Sequence, residues 1–136
     1  MIETYSNYKV LPAFGIVVRP SGAGIAVDLQ GYEGVTFVFQ SGAMGEVAAT
    51  YTWKLQESDA AGSGYADVAA ADMAQGVATV VFNQEVGADA NAAKKLGYIG
   101  TKRYLKAYCT ESTAGTPNSI IVASAVLNVA RHLPTS

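Results

Sequence analysis

Hydrophobic and polar residues alternate along much of this 136-residue chain. The clearest case is the segment of residues 50–56. There Tyr51, Trp53 and Leu55 fall on one side, while threonine, lysine and glutamine residues fall on the other. A period of two residues is typical of a β-strand with one buried face. The segment therefore predicts a half-buried antiparallel strand with Trp53 in the core.

Similar segments rich in β-branched and aromatic residues recur along the chain, at residues 14–18, 25–29, 35–39, 77–82, 98–110 and 119–129. Turn sequences rich in Gly, Ser, Pro and Asn separate them at intervals of about 8 to 14 residues, and Gly31 with Gly34 marks one such turn. Regularly spaced short strands indicate a sandwich or a barrel. We expect an all-β fold, a single-domain antiparallel β-sandwich that is jelly-roll-like and has seven or eight strands.

Helix is a minor element in this interpretation. Two alanine-rich stretches, residues 67–74 and 88–95, have helical propensity. Each is only about two turns long, which is below the length that is stable alone. We expect at most short helical turns there. The first residues show no clear period, so we predict an N-terminal arm over residues 1–10 and one sandwich domain over residues 11–136.

Charged residues are few for a small domain. Half of the residues are hydrophobic and only 15% are charged. A chain of this size has much surface per residue and usually covers it with charged side chains. This composition favours a surface that contacts another protein, although Ala, Ser and Thr can also cover a solvated sheet.

Net charge and the ends of the chain exclude some classes of protein. The formal charge of −2 has the wrong sign for a general nucleic-acid binder. The chain has no apolar run of membrane-spanning length and no secretory signal at its start. We therefore expect synthesis in the cytoplasm, with neither a nucleic acid nor a membrane as partner.

Catalytic and metal-binding patterns are missing. The single cysteine, Cys109, alternates with apolar residues and is expected in the core, and the single histidine, His132, lies near the C-terminus. No nucleotide or cofactor motif occurs. Glu57, Asp59 and Asp67 surround a glycine-rich loop. Asp59 and Asp67 are expected to bond their own turn backbone, and a small hydrolase that uses Glu57 with one of them is a less favoured alternative. We predict no catalytic, metal or cofactor site and no enzyme activity.

One face of a predicted strand collects large polar side chains. Its residues are Lys102, Tyr104, Lys106 and Tyr108, opposite Arg103, Leu105, Ala107 and Cys109. This face is either solvated, with lysine stems over tyrosine rings, or it binds a partner. A carbohydrate-binding face would also use aromatic residues, but that interpretation requires Trp53 to be exposed in a cleft.

Three segments together resemble a known group of proteins: residues 27–32 (VDLQGY), residues 55–68 (LQESD, a glycine loop, then YADV) and residues 97–105 (GYIGTKRYL). In order and spacing they are similar to the capsid decoration, or cement, proteins of tailed double-stranded DNA bacteriophages and to their head-spike-base relatives. The resemblance covers about residues 25–132.

The resemblance implies a jelly-roll-like sandwich on the outer capsid surface of a virion, made in the host cytoplasm. It would bind the major capsid protein of an HK97-like shell and bridge capsomers against the pressure of packaged DNA. It would also bind itself, as a homo-oligomer with a dimer favoured over a trimer. A head-spike base, a tail-associated module and a carbohydrate-binding module for host attachment remain alternatives.

Candidate partner-binding residues follow from these considerations. The two tyrosines of the arm are expected to reach a neighbouring protein, and the cations are expected to contact an acidic capsid surface. Arg103 has the alternative of pairing with a turn carboxylate within the chain. The predicted set is Tyr5, Tyr8, Arg19, Lys102, Arg103, Tyr104 and Arg131.

Overall fold

The computed structural model describes residues 8–15, 20–43, 49–83, 89–113 and 120–129. Apart from one short 3-10 turn at Ala70–Asp72, the regular elements of these residues are β-strands. The strands are β1 (Tyr8–Phe14), β2 (Gly22–Ala23), β3 (Val27–Asp28), β4 (Tyr32–Ser41), β5 (Ala49–Ser58), β6 (Ala66–Asp67), β7 (Thr79–Asn83), β8 (Ala93–Tyr98), β9 (Tyr104–Thr113) and β10 (Ile121–Val129). The predicted all-β class and the short helical turn after residue 67 are confirmed.

The strands form two antiparallel sheets. Sheet I has the order β1-β10-β4-β8. Sheet II is built on the central pair β9 and β5, with β2 and β3 along the free side of β9 and β6 and β7 along the free side of β5. Counting β2 with β3, and β6 with β7, as interrupted strands gives eight strands in two four-stranded sheets. Consecutive strands mostly alternate between the sheets, which is the arrangement of a jelly roll.

The core lies between the two sheets and is centred on Trp53. This side chain of β5 is fully buried. Its ring lies 4.9 Å from the ring of Phe14 in an edge-to-face arrangement and 5.0 Å from the ring of Phe39. Phe14 and Phe39 belong to sheet I, so one sheet II side chain contacts both the edge strand and a central strand of the facing sheet. The predicted core position of Trp53 is confirmed.

Helical propensity alone predicts the wrong secondary structure for one segment. Residues 93–95 belong to the second predicted helical stretch, but they form the beginning of β8. Leu96 is fully buried and lies in register with Phe37, so pairing with β4 places an apolar side chain in the core. Tertiary contacts of this kind override the weak helical preference of a short alanine-rich segment.

The predicted boundary of the N-terminal arm is also wrong. Strand β1 begins at Tyr8, which pairs with Asn128, and Val10 pairs with Val126. The sandwich therefore includes residues 8–10, while residues 1–7 lie outside the described residues. Strand β1 ends at Phe14, where the sequence pattern predicted a strand to begin.

Two further details of the predicted strands change. The long predicted strand over residues 98–110 is two strands, because β8 ends at Tyr98 and β9 begins at Tyr104. Gly31 does lie in a turn, with φ of +89°. Gly34 does not: it lies inside β4, opposite Asn128 of β10.

Trp53 provides a test of the core. Replacing a buried Trp by Ala removes apolar contacts and leaves a cavity, so we expect Trp53→Ala to lower the free energy of unfolding by about 3–5 kcal/mol. Val81→Ala, on the partly exposed outer face of β7, is the control and is expected to change it by less than about 0.5 kcal/mol. Urea unfolding measures both. Similar losses in the two variants would contradict the central role of Trp53.

Candidate functional site

The outer face of sheet II displays the aromatic and cationic side chains that the sequence singled out. Leu105, Ala107 and Cys109 are buried on the inner side of β9. Tyr104, Lys106 and Tyr108 alternate with these three residues and therefore point outwards. The predicted division into two faces is confirmed for residues 104–109. It is wrong for Lys102 and Arg103, which lie in the turn before β9, and Arg103 is exposed beside the outward Tyr104 instead of opposite it.

Each outward tyrosine of this region lies beside a cation from a neighbouring residue or segment. Lys54 Nζ lies 5.0 Å from the ring centre of Tyr108, and Lys106 Nζ lies 4.3 Å from that of Tyr65. The guanidinium of Arg103 lies 5.0 Å from the ring centre of Tyr104. Cation–π contacts at exposed positions contribute about 0.5–1 kcal/mol each. We call this surface the tyrosine face; its members are Lys54, Tyr65, Arg103, Tyr104, Lys106 and Tyr108.

Carboxylates bind two of the three cations of the tyrosine face, Lys54 and Arg103. Asp67 accepts hydrogen bonds from Lys54 Nζ at 2.7 Å and from Gln56 Nε2 at 3.0 Å. The hydrogen bond from Lys54 is the main reason that the pKa of Asp67 lies below its usual value. The lysine is thus positioned both over the Tyr108 ring and beside a carboxylate.

Arg103 makes the best-defined ion pair of the surface. Its Nε and Nη2 donate to the two carboxylate oxygens of Asp28, both at 2.9 Å, and the backbone amide of Gln30 donates to the same carboxylate at 3.0 Å. The hydrogen bonds from Arg103 and then from Gln30 lower the pKa of Asp28 to about 2. The internal pairing that the sequence offered as an alternative for Arg103 is therefore present, although both side chains remain partly exposed.

Lys102 belongs to the turn between β8 and β9. Its ammonium group donates to Asp59 at 2.8 Å, and its backbone amide donates to the hydroxyl of Tyr98 at 2.9 Å. That hydroxyl donates in turn to Glu57 at 2.6 Å. Burial, followed by the hydrogen bond to Glu57, raises the pKa of Tyr98 well above its usual range. The turn is thus bonded both to the end of β5, through Glu57, and to the β5–β6 loop, through Asp59.

These bonds also account for the three carboxylates of the hydrolase alternative. Glu57 accepts from Tyr98, Asp59 pairs with Lys102, and Asp67 pairs with Lys54. Within the described residues, no group of three or more His, Cys, Asp or Glu side chains is placed to hold a metal ion. Asp59 and Asp67 therefore bond lysine side chains of other segments, and not the turn backbone that the sequence predicted.

The buried thiol has the expected structural role. Cys109 is almost fully buried on the inner face of β9 and forms no disulfide. Burial raises the pKa of its thiol to about 12. A thiol in this environment stays protonated at neutral pH and packs as a small apolar side chain.

A cleft of about 570 Å³ lies beside the tyrosine face, at the end of the sandwich. The β8–β9 turn and the start of β4 line it, and Tyr32 and Ile99 are among the lining residues. Lys102 and Arg103 also line it. The cleft therefore extends the cationic and aromatic surface around the end of the molecule.

The structure brings together only part of the predicted contact set. Lys102, Arg103 and Tyr104 are consecutive and lie at the same end of sheet II. Tyr8 lies in sheet I instead, and it is half-exposed on the outer side of that sheet. Four residues considered from the sequence lie outside the described residues: Tyr5, Arg19, Arg131 and His132.

Sequence reasoning missed two members of the tyrosine face. Lys54 comes from β5 and Tyr65 from the loop before β6. The alternation of residues 50–56 already placed Lys54 on an outward face, but nothing in the sequence indicated that this strand would pair with β9. That pairing brings Lys54 opposite Tyr108.

Aromatic platforms for a sugar are not formed in the predicted way. Trp53 is fully buried, so it cannot stack on a carbohydrate. The three tyrosine rings of the face each have a cation at one side. A ring with a cation at one side has less of its surface free to stack on a sugar.

Comparison with known proteins shows no family for this chain. No family model matches the chain, and no curated protein matches it. The solved structure of Eiger TNF from S. frugiperda has 8% sequence identity and a TM-score of 0.31, over 96% of this chain and 98% of that one. A likeness this slight carries no argument about fold or function. In the described residues, no helix has the length and apolar character needed to cross a membrane.

The Asp28–Arg103 pair predicts a pH dependence of stability. Because folding lowers the pKa of Asp28 from 3.8 to about 2, the pair stabilises the folded state above pH 3.8, and this contribution is lost as the pH falls towards 2. We expect Asp28→Asn to lose less stability than the wild type over that interval. The effect is small, because the pair is partly exposed.

Urea midpoints at a series of pH values between 5 and 2 measure this difference. Glu33→Gln, another exposed carboxylate, is the control and is expected to follow the wild type. Parallel curves for Asp28→Asn and the wild type would show that the ion pair does not contribute.

Proposed function

We propose that this chain is a non-enzymatic structural protein of a virion, a cement or decoration protein that binds the outer surface of a shell of major capsid protein. It bridges neighbouring capsomers and so stabilises the shell against the pressure of packaged DNA. The resemblance of the three sequence segments motivates this proposal. The tyrosine face carries it, because it is a preformed surface suited to a protein partner.

The chemistry of the tyrosine face supports a protein partner. Tyr and Arg are enriched at protein interfaces, where a large flat side chain with a polar tip tolerates both apolar contact and water. Asp28 and Asp67 alternate with the cations of the face, so its charge is mixed in sign. A surface of mixed sign suits another folded protein better than a polyanion.

The packing of this surface also lowers the cost of binding. Each tyrosine ring of the face already contacts a cation before any partner arrives, and these contacts restrict its movement. Ordering a mobile side chain at an interface costs about 0.5–1.5 kcal/mol, so side chains that are already held save part of that cost. Modest contacts from one subunit are sufficient, because several linked contacts on one particle give strong retention.

Capsids that lack the protein provide the test. We expect the wild-type protein to bind them and to raise their resistance to heat. Tyr104→Ser removes a ring from the tyrosine face, and Lys106→Glu reverses a charge there. Each is expected to weaken binding by about 10-fold or more, and wild-type binding is expected to weaken with salt.

Lys9→Glu, the same charge change on β1 of sheet I, is the matched control and is expected to bind like the wild type. Co-sedimentation measures binding, and a thermal shift of the shell measures stabilisation. Failure of the wild-type protein to bind, or binding without any gain in shell stability, would overturn the proposal. Labelling on intact particles separates the outer shell from a head-spike base or a tail module.

A further inference from the structure

Most cations of the described residues are held in ion pairs with aspartates. The paired ones are Lys54, Lys94, Lys102 and Arg103. Within the described residues, three lysines take part in no such pair. Lys9 and Lys95 are exposed on sheet I, whereas Lys106 is half-buried in the middle of the tyrosine face. A fully exposed lysine is hydrated by bulk water, so Lys106 is the unusual case.

Three tyrosines lie next to Lys106. Tyr104 and Tyr108 precede and follow it on the outward side of β9, with Cα atoms about 7 Å away. The ring centre of Tyr65 lies 4.3 Å from Lys106 Nζ. An ammonium group has three N–H donors, and a ring face covers only one side of it. In the described part of the chain, no oxygen accepts a hydrogen bond from this group.

The charges of the tyrosine face do not balance at Lys106. The carboxylates beside this face are Asp67, which pairs with Lys54, and Asp28, which pairs with Arg103. Three cations and two carboxylates leave one positive charge. Because the other two cations are paired, this charge is located at Lys106.

Neither neighbouring strand places a carboxylate beside Lys106. On one side, Gln56 of β5 lies in register with it, and the amide of Gln56 donates to Asp67 at 3.0 Å. On the other side, β2 ends at Ala23 and β3 begins at Val27, and Lys106 lies opposite the interruption. A continuous strand would supply a neighbour in register there. Lys106 therefore lacks one cross-strand neighbour.

A partner that covers the tyrosine face would remove Lys106 from water. The tyrosines around it would then exclude water in the way that the rim of a hot spot does. A partner with a neutral side chain at this position leaves the charge buried and unpaired, which is costly, whereas Asp or Glu neutralises it. The position therefore favours an acidic side chain over a neutral one.

We propose that Lys106 anchors the partner protein by binding one carboxylate, an aspartate or glutamate side chain that lies over the outer side of β9 between Tyr104 and Tyr108. This assignment rests on the proposed function, because it names the chemistry of that partner.

Lys102 and Arg103 are less suited to this role. The sequence predicted both as contacts to an acidic surface, but Asp59 and Asp28 already neutralise them. A partner carboxylate would have to displace these aspartates or share a cation with them. At Lys106 it meets no such competitor among the described residues.

A single carboxylate fits this surface better than a polyanion does. Asp28 of β3 and Asp67 of β6 flank β9 on either side, and their side chains are 45% and 57% exposed. A nucleic acid would bring several phosphates close to these aspartates, because each nucleotide carries a negative charge. One acidic side chain among neutral neighbours avoids that repulsion.

Two matched peptides test the anchor in solution, without capsids. One is acetyl-Gly-Leu-Glu-Leu-Gly-amide, and the other has glutamine in place of the glutamate. NMR titration of the backbone amides measures both affinity and location. We expect the glutamate peptide to bind about 3- to 5-fold more tightly, the range of one exposed charge pair. The largest shifts are expected at residues 104–108, and added salt is expected to remove the difference between the peptides.

Variants assign this preference to one side chain. Lys106→Met keeps the apolar stem without the charge and is expected to bind the two peptides equally, whereas Lys106→Arg is expected to keep the preference. Lys95→Met removes another lysine that has no ion pair, on sheet I, and is the matched control. Thermal unfolding shows that each variant is folded. Failure of the wild type to bind the glutamate peptide, equal affinity for both peptides, or a preference that persists in Lys106→Met would overturn the anchor.

Capsids show whether the anchor serves the proposed function. A carbodiimide joins a lysine amine to a carboxylate in contact with it, so mass spectrometry of cross-linked particles is expected to find Lys106 joined to an Asp or Glu of the shell. Lys106→Met is expected to bind capsids about 10-fold more weakly. A wild-type protein that prefers the glutamate peptide but ignores capsids refutes the cement role alone. Lys106→Met that binds capsids as tightly as the wild type refutes the anchor alone.

Discussion

The stacking of Trp53 between the two sheets is the interaction on which the rest of the structure depends. The side chain comes from the centre of sheet II and contacts Phe14 and Phe39 of sheet I. A jelly roll of this size has one apolar layer, so each strand must direct alternate residues into it. The remaining residues are then forced outwards. The outer faces are thus free to differ from each other without any change in the core, and in this protein they do.

The strands could be predicted best from the sequence where hydrophobic and polar residues alternate over the full length of a strand. Residues 50–56 are the example, since their inward side chains are large and regularly spaced. Secondary structure could be predicted least well where it depends on the strand with which a segment pairs. Residues 93–95 are alanine and lysine, and only the partner strand β4 makes them a strand. Residues 98–110 are continuously rich in strand formers, but Tyr98 turns its hydroxyl to Glu57 and Lys102, and the chain turns there.

The candidate site could be predicted only along one strand. Tyr104, Lys106 and Tyr108 share a face because of their spacing, which any reader of the sequence can see. Their partners come from far away in the chain: Asp28 is 75 residues from Arg103. Local spacing has no information about such pairs, because strand order determines them. Gly34 shows the same limit, since a glycine that suggests a turn lies within a strand.

The interrupted edges of sheet II affect how this sheet can pair with strands of other molecules. Along β9 and β5 the outer strands are broken into short pieces, β2 with β3 and β6 with β7, so neither side offers a long straight row of free backbone groups. Unbroken edges are where sheets of neighbouring molecules join and aggregate, and many proteins block them with charged side chains. In sheet II, the interruptions in the edge strands themselves hinder such pairing. The edges of sheet II are therefore poor places for a strand of another molecule to add, even though the chain carries few charges.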